Sequence, residues 1–195
     1  WYELKPAPFT GSFEDAAAEY RRLLSDSVRL MLRADVPIGS CLSGGIDSSS
    51  IVCVINGQLR SQGAAGLQKT FSARASEPQF DEWPWIEEVV RQTGVDARST
   101  IPTVERLEHD AAVFAWHQDE PTSSTSFFAE WCVYGLVQQA GLKVMLDGQG
   151  SDEALAGYHA FFAPYFASLA RQGRFGFAWS EMQMFRRRHG YGELA

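Results

Sequence analysis

Short apolar runs alternate along this chain with longer segments whose apolar residues recur at helical spacing, and that alternation most narrows the folds open to it. Residues 37–42, 69–73, 95–101 and 144–146 read as strands. Between them, residues 49–59 and 81–93 read as helices. Two further helical faces are marked by Val104, Leu107, Ala111 and Phe114, and then by Phe128, Trp131 and Leu136. Strands linked through helices pair in parallel, so the pattern implies an α/β fold: a doubly wound parallel sheet with helices on both faces, joined by right-handed crossovers. If the first three strands run outward and the fourth returns to the far side of the first, the expected order is 3-2-1-4. The crevice between strands 1 and 4 is then the switch point at which such sheets bind ligands.

The helix boundaries carry their own signals. Ser12 with Asp15 makes a capping-box start, and Tyr20, Leu23, Leu24, Val28, Met31 and Leu32 follow at helical spacing. That helix stops before Val36-Pro37, because the residue ahead of a proline is pushed out of the helical region. Gly94 and Gly141 stand where helices close on a glycine. Residues 57–67 read as an exposed loop.

Composition removes several classes of function. The 195 residues, 45 % of them hydrophobic, suffice for one sizeable core. A net charge of −7, with no basic stripe beyond residues 186–188, repels nucleic acid. No apolar run approaches the roughly 20 residues of a membrane helix, and the first residues lack a signal pattern. Cys41, Cys53 and Cys132 are odd in number, widely spaced and set in apolar segments. They read as reduced core thiols of a cytoplasmic protein, not a disulfide or zinc framework. An opening Trp1 and a Gly/Arg-rich end suggest a piece of a longer chain.

Two loops carry the chemistry. In Ser43-Gly44-Gly45-Ile46-Asp47-Ser48, a glycine pair between strand and helix lets the backbone turn sharply. The following amides, aided by the helix dipole, can then point at an anion. Ser43 and Ser48 can add hydroxyl donors. Asp47 would repel a phosphate unless a cation stood between them, so its presence implies Mg²⁺. The loop lacks the lysine of a Walker A sequence and the spacing of a dinucleotide fingerprint. A plain turn followed by a capping aspartate would also satisfy these six residues. The second loop, from Asp147 through Gly148, Gln149, Gly150 and Ser151 to Asp152 and Glu153, repeats the design: a short strand, alternating glycines, then acids at a helix start. Asp47 and Asp152 are the pair of hard oxygen ligands that would suit Mg²⁺.

The first loop resembles the pyrophosphate-binding signature SGGxDS of the PP-loop ATP pyrophosphatases. The stretch DGQGSDEALAGY, residues 147–158, is similar to the second motif of the asparagine synthetase family, in which a G-[EQ]-G-[SA]-D-E core precedes an Ala-Gly-Tyr or Gly-Gly-Tyr. The resemblance covers nearly the whole chain and implies an adenine-nucleotide alpha-hydrolase-like, Rossmann-like fold. Residues 1–12 would link to an amino-terminal glutaminase domain, and residues 13–195 would form an ATP-binding synthetase domain truncated at its C-terminus. It further implies that Leu42, the backbone of residues 71–74 including Arg74, and Gly148 hold adenine and ribose, with Asp147 beside them. Ser43, Gly44, Gly45, Asp47 and Ser48 would hold pyrophosphate, and Asp47 and Asp152 would hold Mg²⁺.

The implied reaction is adenylation of a small carboxylate, aspartate in the family's namesakes, with pyrophosphate release and capture by ammonia from the glutaminase domain. A homodimer is a further expectation. Asp47, Asp152 and Gln149 are the candidate catalytic residues. Gln149 stands where asparagine synthetases proper usually carry Glu, which leaves the acceptor open, because a neutral amide cannot form the ion pair or move the proton that a carboxylate can. A related ligase closing a β-lactam or macrolactam ring, or a degenerate nucleotide-binding module, stays open as an alternative. The family's transition-state lysine lies beyond the second motif, whereas this chain has only Lys5, Lys69 and Lys143. His117, Asp119 and Glu120 resemble a metal cluster but precede Pro121 and read as a loop or pocket rim, with Ser123 to Ser126 as a second candidate contact. Tyr158, His159, Phe161, Phe162, Tyr165 and Phe166 read as helix packing.

Overall fold

Strands β1 (Ile38–Cys41), β2 (Lys69–Ala73), β3 (Asp96–Thr100) and β4 (Val144–Leu146) form one parallel sheet in the order β3-β2-β1-β4. Cys41 stands opposite Phe71, Ser40 opposite Leu146 and Phe71 opposite Arg98. This arrangement belongs to a computed structural model that describes residues 3, 5, 7–64, 66 and 68–189; Trp1, Leu67 and residues 190–195, which figure in the sequence reading, lie outside the described residues. The described residues divide into two compact units, one ending at Gly148 and the other beginning at Gln149.

In the first unit, helices α1 (Phe13–Met31), α2 (Ile46–Ser61) and α3 (Trp83–Thr93) cover one face of the sheet. Helix α5 (Ser126–Gln139) covers the other, and α4 (Val104–Gln118) packs on α5 through Phe114, Phe128 and Cys132. Two-sided cover explains the strand compositions. Thr70, Phe71 and Ser72 of β2 are all buried, as in an interior parallel strand, while edge strand β3 exposes Asp96, Arg98 and Ser99. Val52 and Ile86 meet Leu42 and Val95 on one side; Phe71 meets Val133, Val137 and Leu142 on the other. Gly39 lets that second face close, since a Cβ there would lie 2.8 Å from Met145 Sδ and 3.0 Å from the Phe71 ring. The Asn56 amide donates to Gln68 (2.9 Å) and to the Thr93 carbonyl (3.2 Å), which ties α2 to β2 and to the end of α3.

The expected capping box is present: Asp15 N–H donates to Ser12 Oγ (3.1 Å) and Ser12 N–H to Asp15 Oδ2 (2.9 Å). Gly94 and Gly141 both take left-handed φ, near 71° and 70°. Two expectations are corrected. Residues 57–61 continue α2 instead of opening a loop, because Leu59 packs into the Val28–Ile55–Leu146 cluster and tertiary burial carries the helix past Gly57. Cys53 is exposed, because it falls on the outward side of that same helix.

The second unit is helical: α6 (Ser151–Leu155), a short 3₁₀ turn at His159–Phe161, α7 (Phe162–Arg171) and α8 (Phe175–His189). Phe162 and Phe166 of α7 pack on Phe185 of α8, with ring centroids 4.3 and 6.1 Å apart, so these aromatics bind helix to helix as read. Among the described residues, no helix is long and apolar enough to cross a membrane.

Truncating Ile86, fully buried against Leu42 and Val52, is expected to lower stability by about 2–5 kcal/mol. Exposed Val113→Ala should stay within about 0.5 kcal/mol. Urea unfolding with an unchanged m-value is the measurement, and equal losses in the two variants would contradict this core.

Candidate functional site

Strand β1 hands the chain to Leu42, whose side chain is buried among Val52, Ile86 and Val95. Its N–H donates to the Phe71 carbonyl (3.0 Å), and its carbonyl accepts from Ser72 Oγ (2.6 Å). Leu42 therefore presents backbone, not side chain, toward any ligand at the strand end.

From that anchored residue the turn closes on itself. Ser43 N–H donates to Ser48 Oγ (3.1 Å), Gly45 N–H to Ser43 Oγ (3.3 Å), and the Ser48 hydroxyl to the Gly45 carbonyl (3.3 Å). The two hydroxyl oxygens lie 3.0 Å apart. Both serines expected to face an anion are thus engaged within the turn. The N–H groups of the first turn of α2, which have no intrahelical partner, are the donors left for an anion. Gly44 makes the turn possible at φ 88°, in the left-handed region, with its α-carbon pressed on the start of α3. A Cβ there would sit 2.9 Å from Trp85 Cβ and 3.2 Å from the Glu82 carbonyl.

The turn after β4 lies against this one. A Cβ on Gly148 would come 3.0 Å from the Ser48 nitrogen and 3.2 Å from the backbone carbon of Asp47. Only a glycine keeps the Ser48 amide uncovered while the two backbones touch. Asp47 stands half-buried in the first turn of α2, and its carboxylate has no hydrogen-bond or ion-pair partner among the described residues. An acid and unpaired amides side by side suit a cation-bridged anion, so the residues present fit Mg²⁺ and a phosphate chain.

Two pairs flank these turns. Asp147, exposed just past β4, stands beside the Cys41 thiol. Burial first, and then that carboxylate, push Cys41 up to about 12, so it is no nucleophile near neutrality. Burial, and then Glu130, likewise push Tyr134 up to about 12. Arg74, whose backbone N–H donates to the Thr100 carbonyl, commits its guanidinium to Asp81 at 2.7 Å and lies 4.6 Å over the Trp83 ring. That guanidinium, hydrogen-bonded to Asp81, holds the Asp81 carboxyl below its ordinary value.

The remaining candidates lie apart from these turns or in the second unit. Gln149 is exposed at the start of that unit, and Asp152 is half-buried in the first turn of α6. Gly157 lies over the Asp152 carboxylate, which a Cβ at that position would overlap, and its N–H donates to the Asp152 carbonyl (2.9 Å). His117 bonds the Val113 carbonyl (2.8 Å) and stacks near Trp131, Asp119 takes φ 59° as a helix cap, and no group of metal-ligating side chains gathers there among the described residues. Ser124 Oγ accepts from Ser126 N–H (3.2 Å) at the head of α5. Sequence reasoning missed the Glu82–Ile86 wall behind Gly44 and the Cys41–Asp147 and Glu130–Tyr134 pairs. The fold places Cys41 on the α5 face, and nothing local in the sequence announced its partner.

Comparison with known proteins gives a consistent picture. The profile of the asparagine synthase family matches residues 19–193. Amidase chyE of Penicillium rubens is 32 % identical over an alignment of 161 residues that covers 78 % of this chain and 24 % of that protein. Glutamine-hydrolyzing asparagine synthetase 1 of Bacillus subtilis is 32 % identical over 148 residues, 75 % of this chain and 22 % of that protein. Glutamine-hydrolyzing asparagine synthetase 3 of the same organism is 30 % identical over 180 residues, 83 % and 28 %. The chain thus spans less than a third of the length of each of these relatives.

Replacing Gly44 by Ala is expected to destabilise the first unit by about 1–3 kcal/mol, since a Cβ there meets both a left-handed φ and the α3 start. Thermal or urea unfolding checks this, and a neutral substitution would mean that the turn is not seated as described. Asp81, with a depressed folded pKa, contributes stability that is present above its ordinary value of 3.8 and is lost as pH falls through the lower folded value. The stability advantage of the wild type over Asp81→Asn should therefore hold at neutral pH and shrink below about pH 4. An advantage that grew on acidification would refute the Arg74–Asp81 assignment.

Proposed function

This chain belongs to the asparagine synthase family, and from that premise we propose that it is the nucleotide-binding part of an ATP-dependent amide ligase. The observation that carries the reading is the contact of Gly148 with Asp47 and Ser48, which puts two glycine-bearing turns together at the sheet's switch point. In this reading a substrate carboxylate oxygen attacks the α-phosphorus of ATP, and the bond to the pyrophosphate oxygen breaks. Ammonia then attacks the acyl carbon, loses a proton and displaces AMP. Catalysis of this kind is mostly positioning and charge neutralisation.

The amides at the start of α2 hold the pyrophosphate, inside a turn that Ser43, Gly44, Gly45 and Ser48 keep in shape. Backbone at Leu42, residues 71–74 and Gly148 borders the adenosine, with Asp147 and Arg74 flanking it. Asp47 holds Mg²⁺, which supplies neutralisation of the departing pyrophosphate. The same role for Asp152 rests on its motif alone. The acceptor is a small carboxylate, with aspartate as the first candidate and ammonia delivered by a glutaminase domain of the longer protein. Gln149 favours a second reading of the acceptor step. Its amide can hydrogen-bond an amine but cannot take its proton, which suits an amine that enters already neutral or belongs to the substrate itself.

Calorimetric titration of the chain with ATP and Mg²⁺ is expected to show saturable binding that Asp47→Ala weakens at least about tenfold. Absence of binding at millimolar ATP would sink the nucleotide reading. Aspartate-dependent exchange of pyrophosphate into ATP, run on this chain and on the longer protein, tests the acceptor. Exchange supported only by another carboxylate would keep the ligase and replace aspartate.

A further inference from the structure

A cavity of about 580 Å³ opens at the amino-terminal end of the strands, between the last turns of α1 and α2 and the first residues of β1 and β2. It is remote in the fold from the turns described above, which follow the carboxyl ends of β1 and β4. Leu32, Ile38, Ile55, Leu59 and Leu142 give it an apolar wall, and its size is that of a small-molecule site. Its charged lining residues are Arg29, Arg33 and Lys69, with no acid among them, in a chain whose net charge is −7. Arg29 is engaged by Asp26 at 2.6 Å, whereas Arg33 and Lys69 make no ion pair among the described residues.

We propose that this cavity binds an organic anion with an apolar body, its acidic group drawn by Arg33 and Lys69 and its body lying on Leu32, Ile55 and Leu59. A hydrophilic polyanion would leave the apolar wall wet, and a neutral hydrocarbon would leave the cations without a counter-charge. The site is independent of the nucleotide reading and stands or falls without it.

Sodium decanoate is the probe, titrated calorimetrically into the full chain, with decyltrimethylammonium as a probe of the same tail and opposite charge. Decanoate should bind one-to-one, at least about tenfold tighter than the cation, and the double variant Arg33→Gln, Lys69→Gln should weaken it by about tenfold without changing the thermal melt. Amide shifts in an NMR titration should move at residues 38–40 and 59 and stay fixed on the exposed face of α4. No saturable binding at millimolar decanoate, equal binding of both probes, or shifts elsewhere would each overturn the site.

Discussion

Everything at the candidate site depends on where β1 stops being a strand, and that is decided by the burial of one leucine. Leu42 is enclosed by Val52, Ile86 and Val95, so three elements hold it at once. Its N–H and carbonyl are bonded to Phe71 and Ser72 of the neighbouring strand. A side chain pinned in this way fixes the position and direction of the next peptide, and the turn that follows starts from a rigid point. A surface loop of the same sequence without this anchor would have no reason to present its amides in one direction.

The turn spends its own polar groups on shape. Ser43 and Ser48 bond to each other's surroundings, and the Ser48 hydroxyl returns to the Gly45 carbonyl. What stays available is what a side-chain inventory overlooks: the N–H groups of a helix start, and the carboxylate of Asp47 beside them. Gly148 completes this economy from the other strand. Its missing side chain keeps the Ser48 nitrogen open, so the two glycine-bearing loops have different duties, one to bend and one to stay out of the way.

Much of this was legible beforehand, for reasons that differ from element to element. Periodicity over long segments and the switch from period 3.6 to short apolar runs sufficed for the four strands, and their order followed once the first three were taken to run outward and the fourth to return beside the first. The capping box at Ser12 and the glycine closures at 94 and 141 are local chemistry and could be read locally. Gly57 misled because a glycine inside a helix is weakly unfavourable, while burial of Leu59 is strongly favourable, and only the fold shows which prevails. The site was half legible. Glycine spacing pointed to the two turns, while the bonds that Ser43 and Ser48 make within the turn and the burial of the Leu42 side chain are visible only in the fold. The Arg74–Asp81 pair and the Cys41–Asp147 contact join residues too distant in sequence for pattern to connect.

The two ends of the sheet differ in charge, and the difference has a physical consequence for the first unit. Past the carboxyl ends of β1 and β4 stand Asp47 and Asp147, with Glu130 nearby on α5; around the amino ends stand Arg29, Arg33 and Lys69. Burial first, and then the carboxylates beside them, hold Cys41 and Tyr134 protonated. Such an end attracts a cation before it attracts a phosphate. In the proposed reading, binding of a nucleotide there is coupled to binding of a divalent ion: the amides at the α2 start supply direction, and the ion supplies the charge that the protein withholds. The same uneven distribution leaves the amino end with Arg33 and Lys69, which make no ion pair among the described residues, over an apolar wall.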